Sequence, residues 1–201
     1  MALISAKTII TSLCLFHITL GFFFLTSPGS VADQALVYLL GEAMGLPHSR
    51  NFESRSPALA FLAVVLGMLG ISDMVTLSLP DEFSMVHHWG LQAPLRFTFS
   101  FAIVLYTFFF SASSPFYADL LSAPPPSSSA DPSSSLGGSS APGGYAPSGW
   151  GGDALKNRLF FAFMFVETVS WFWVWVTLQE ENREAAVRAR KAARRRSSHD
   201  Y

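Results

Sequence analysis

The chain is short of charge, of cysteine and of glycan acceptors. Charged residues make up 13% of its 201 positions, about half the share of a soluble globular domain. Cys14 is its single cysteine, which excludes an internal disulfide and a cysteine-rich metal site. A formal net charge of −1 supplies no overall field to hold a nucleic-acid backbone. No Asn-x-Ser/Thr acceptor occurs, so an N-linked glycan cannot report topology. What is abundant is apolar surface: half the residues are hydrophobic, 19 of them Phe, and the mean hydropathy is +0.35. The length permits one domain with an appendage. Composition therefore points to a membrane protein and to no particular reaction.

Four apolar stretches carry the argument: Thr8–Leu25, Ala58–Leu79, about Gln92–Ala112 and Leu159–Leu178. At 1.5 Å per helical residue each reaches roughly 27–33 Å, enough for a hydrocarbon core of about 30 Å. Backbone groups in lipid must be satisfied internally, which makes helices the default. The runs are continuous rather than alternating, against a β-barrel. A cleaved signal peptide is the competing reading of the first stretch, with Lys7 before it and Ser30-Val31-Ala32 after it. Its apolar run exceeds the usual 7–15 residues of such peptides, which favours a retained helix. Val31–Leu46 repeats apolar Leu36, Leu39, Leu40 and Ala43 at helical spacing; it reads as an amphipathic helix at the membrane surface. The expected fold is all-α: an integral bundle of four transmembrane helices plus this surface helix.

The chain divides by composition. Residues 1–121 hold the first three spans and the surface helix. In 122–152, 23 of 31 residues are Ser, Gly or Pro, too little apolar surface to offset ordering entropy, so a disordered loop is expected. Residues 153–179 hold the fourth span and 180–201 a basic tail. That tail carries Arg188, Arg190, Lys191, Arg194, Arg195 and Arg196 besides Arg183. The first and third loops carry two basic residues each, so positive charge places the tail in the cytosol. The triple arginine followed by Ser197 and Ser198 reads as a positive-inside anchor, as a patch for anionic lipid, or as a retrieval signal.

Charges inside the spans are the sharpest feature, since an ionised group at the bilayer centre costs about 2.5–3.5 kcal/mol. His17 and Glu167 lie near the middles of the first and fourth stretches. Asp73 lies roughly 7 Å past the middle of the second, and Arg96 roughly 10 Å before the middle of the third. Those two stretches run in opposite directions, so an Asp73–Arg96 pair is expected at one depth. His17 and Glu167 meet if the first and last helices are neighbours. The functional reading is an ion path, a proton relay or a lipid-modifying acid–base pair; the plainer one is that both pairs specify helix packing. Ala63 and Gly67 allow close helix approach. His87-His88, beside Asp81 and Glu82, has no defined ligand geometry, so no metal and no cofactor is expected. Trp171, Trp173 and Trp175 read as an interfacial aromatic belt.

The Leu-Phe-His-x-Thr-Leu run at 15–20, the segment Ala32-Asp33-Gln34 to Leu40-Gly41-Glu42-Ala43-Met44, and Gly70-Ile71-Ser72-Asp73 resemble the fungal increased loss of mitochondrial DNA protein family. The resemblance implies a multi-pass protein of the endoplasmic reticulum membrane with an indirect link to mitochondrial genome maintenance. It transfers no catalytic or ligand residue; His17, Asp33, Glu42 and Asp73 fall in the matching segments. The expected function is a non-enzymatic membrane protein supporting organelle or lipid homeostasis. The alternatives are a small ion or solute transporter and a lipid-modifying enzyme. The expected partners are the bilayer and other membrane proteins, with no direct nucleic acid.

Overall fold

The computed structural model describes residues 4–80, 82–110 and 151–197. These form helices α1 (Ala6–Thr26), α2 (Pro28–Ala32), α3 (Ala35–Ala43), α4 (Pro57–Leu77), α5 (Gly90–Phe109) and α6 (Arg158–Ser197). A π-helical segment, Glu82–Trp89, leads into α5. Four helical stretches, in α1, α4, His87–Phe109 and α6, are long and apolar enough to cross a membrane. The Ser/Gly/Pro segment up to residue 150 and the end of the third expected stretch lie outside the described residues.

Local chemistry sets the helix ends. The Ser5 side chain accepts the Thr8 backbone N–H and starts α1. Ser56 does the same for Leu59 N–H ahead of Pro57 at the first position of α4, both standard N-terminal signals. Asn157 Oδ1 accepts the Phe160 N–H and opens α6. Gly45 closes α3 at φ 61°, a left-handed conformation that glycine adopts without strain.

The surface helix expected over Val31–Leu46 is two helices. Asp33 N–H closes α2 on Gly29 O, Gln34 is extended, and its side-chain amide donates to Ser30 O. The fourth stretch and the tail as far as Ser197, in contrast, are one unbroken 40-residue helix.

The helices pair as α1 with α4 and α5 with α6, and α6 also packs against α1 and α3. Side chains cluster at two levels. One core joins Ile10, Leu13, Trp89, Trp171, Val174 and Leu178 on the side where the tail leaves. The other joins Phe24, Val37, Leu59, Leu66, Leu159 and Ala162 on the opposite side. Close approach of α1 and α4 depends on two glycines. A Cβ on Gly21 would stand 2.8 Å from Ala63 O, and one on Gly70 2.7 Å from Cys14 O. Gly67, expected to permit this contact, has open space where its side chain would be. The small-residue face of α4 is therefore Ala63 and Gly70, offset by seven residues, or nearly two turns.

Candidate functional site

Between the two cores lies a layer of polar side chains contributed by all four long helices. His17 on α1 is 1% exposed. Its Nε2 lies 2.7 Å from Glu167 Oε1 on α6. Phe16 and Phe163 flank the imidazole ring. The second carboxylate oxygen, Glu167 Oε2, accepts the indole N–H of Trp171 at 2.7 Å, one helical turn along. Both oxygens of the buried carboxylate are thus engaged, as a charge removed from water requires.

Trp171 carries the connection further. Its ring stacks on Trp89 at 5.8 Å and 16°. The guanidinium carbon of Arg96, on α5, stands 4.8 Å from the Trp171 ring centroid and 5.7 Å from that of Trp89. Arg96 in turn donates to both oxygens of Asp73 on α4, at 2.5 and 2.8 Å. This two-pronged geometry is the strong form of the arginine–carboxylate interaction. The sequence His17–Glu167–Trp171–Arg96–Asp73 therefore crosses α1, α6, α5 and α4 without a break.

Each sequence candidate has a definite place. His17 meets Glu167 and Asp73 meets Arg96. Glu42 lies 3.0 Å from an Arg158 terminal nitrogen, while Arg158 Nε donates to Leu46 O at 2.6 Å and its guanidinium lies over Tyr38. Asp33 is exposed at the end of α2. In the tail, Arg188 pairs with Glu184 at 3.4 Å, and Arg190 and Lys191 are exposed. Arg194, Arg195 and Arg196 continue α6. His88 stands edge-on to Trp89 at 4.9 Å, an aromatic contact. Among the described residues no three His, Cys, Asp or Glu side chains gather around a metal position.

One expectation is corrected. Trp171 is not part of an interfacial belt: it is 1% exposed and bonded to Glu167, whereas Trp173 is 57% exposed. The i, i+4 spacing of Glu167 and Trp171 was the available signal. Sequence reasoning also missed Glu181, whose Oε1 accepts the Ala6 N–H at 3.0 Å and ties the start of α1 to α6.

On the side away from the tail, α1, α2, α3, α4 and α6 border a half-open cavity of about 610 Å³ with an almost wholly apolar lining.

Four long apolar helices joined by paired polar side chains at membrane depth define an all-α, multi-pass membrane protein. The chain belongs to the increased loss of mitochondrial DNA protein 1 family, which it matches over residues 4–188. Neither a curated protein nor a solved structure matches it. Fold and family together describe a membrane protein linked to maintenance of mitochondrial DNA.

Proposed function

We propose that the chain is a non-enzymatic protein of the endoplasmic reticulum membrane, with its C-terminus in the cytosol, that supports the mitochondrial genome indirectly through membrane or lipid homeostasis. The observation that carries this reading is the closure of the polar layer. The two acids and the arginine at membrane depth have partners within the chain: Asp73 pairs with Arg96, and Glu167 is hydrogen-bonded to His17 and Trp171. Such a network fixes which helices neighbour one another. The family resemblance supports the compartment, and the basic tail supports the orientation. The bilayer and neighbouring membrane proteins are the partners of this reading.

The test is genome maintenance in a deletion strain carrying Glu167→Gln. Glutamine keeps an acceptor for Trp171 and a polar group for His17 but carries no charge. A scaffold retains the mitochondrial genome. Loss of the genome while the variant accumulates at the normal level overturns the reading. One observation favours transport instead: His17 Nδ1 is buried without a partner among the described residues, beside a carboxylate. Ion flux through reconstituted protein that disappears in Glu167→Gln establishes that alternative.

A further inference from the structure

We propose that the cavity between α1, α3, α4 and α6 is a binding site for one sterol of the leaflet opposite the tail. This inference rests on the lipid-homeostasis reading and names the ligand class.

Position supports it first. Along α1 the cavity runs from Phe16, near the helix middle, to Phe24, and it continues to Ser30 and Gln34 beyond the helix end. The helical part spans about 12 Å, and one leaflet of hydrocarbon is about 15 Å deep. The cavity is therefore one leaflet deep, with its inner end at the bilayer centre and its mouth at the interface. Its volume of about 610 Å³ falls within the range of sites that enclose a single small ligand.

The chemistry of the wall selects among lipids. Phenylalanine rings from α1 and α6, including Phe16, Phe24, Phe160 and Phe163, present flat, stiff surfaces. The polar groups of the lining are neutral: Thr19, Ser30 and Gln34. The hydroxyls of Thr19 and Ser30 make no hydrogen bond among the described residues, unlike those of Thr26 and Thr168, which bond the carbonyl four residues back. Of the cations near the mouth, Arg158 donates to Glu42 and Leu46 O and Arg55 to Thr26 O, while Arg50, two residues from Phe52 of the lining, is exposed. The lining itself holds no cation to meet a phosphate inside the cavity. A single acyl chain is slender and loses many rotamers on ordering. A sterol offers a rigid, flat apolar body and one neutral hydroxyl, which matches the stiff wall and the unpaired hydroxyls of the lining.

The experiment uses the full chain, purified and placed in phosphatidylcholine nanodiscs, with a photoactivatable sterol as probe. Labelling is expected in peptides covering residues 16–24 and 159–166, displaced by unlabelled sterol and not by a free fatty acid. Leu62 lines the cavity from α4 and is partly open to lipid, so Leu62→Trp fills the space and lowers labelling about tenfold. The double variant Thr19→Val with Ser30→Ala removes only the hydroxyls, and weakens labelling about three- to tenfold. It answers the same question should the tryptophan variant not fold. Labelling that both variants leave unchanged, or that a fatty acid displaces equally well, overturns the sterol site. Genome maintenance separates the two proposals. Lost labelling with a retained genome keeps the site and removes its role in maintenance. No labelling of the parent protein, with a genome that still depends on it, removes the site alone.

Discussion

Arg96 and Trp171 meet face to cation, 4.8 Å apart, and through that contact the two polar pairs of the membrane layer become one structure. Without Trp171 the Asp73–Arg96 pair would join α4 to α5, and the His17–Glu167 pair α1 to α6, with no polar contact between the two pairs. The indole bonds one pair through its N–H and holds the other through its face.

Trp171→Phe separates these roles. Phenylalanine preserves stacking on Trp89 but leaves Glu167 Oε2 without its donor. A loss of about 1–3 kcal/mol is expected, read as a lower unfolding midpoint in a detergent titration. A midpoint equal to the parent's shows that the hydrogen bond contributes nothing.

Breaking the Asp73–Arg96 pair from one side should cost more than removing it. Asp73→Leu leaves a guanidinium at membrane depth without its carboxylate, an expected loss of about 2.5–3.5 kcal/mol. Asp73→Leu with Arg96→Leu should recover about half of that, short of the cation–aromatic contribution of about 1–2 kcal/mol. A double variant less stable than Asp73→Leu refutes the pairing.

The glycines of the α1–α4 contact give a sharp contrast. Gly70→Val places side-chain atoms against Cys14 O and Ile18 and should cost about 1–3 kcal/mol by overpacking. Gly67→Ala meets nothing within 4 Å and should be neutral or slightly stabilising. Equal losses at both positions would place the interface elsewhere on α4.

Orientation is open to a direct measurement. Protease added outside sealed microsomes should remove the tail and spare residues 122–152, since basic residues concentrate after Leu178. The reverse pattern inverts the topology.

The parts of this fold legible in the sequence were those governed by one-dimensional quantities. Hydropathy and length located the four long helices, because crossing oil needs a minimum apolar run. Depth along each stretch brought Asp73 to Arg96 and His17 to Glu167, because antiparallel helices align groups equidistant from one face. What remained hidden depends on helix rotation. Trp171 and Trp173 differ by about 200° around α6, which turns one inward and the other to lipid, and no composition rule distinguishes them. The break between α2 and α3 rests on the Gln34 side chain reaching Ser30 O, a local bond that periodicity does not register.

Because α6 continues unbroken from the membrane into its basic tail, it behaves as a lever. It is about 60 Å long, with about half of that inside hydrocarbon. Thickening or thinning of the surrounding bilayer changes the angle at which such a rod stands. A swing of 10° carries its free end sideways by about 5 Å. A change of tilt in the membrane-embedded half is thus carried along the continuous helix to residues 194–196.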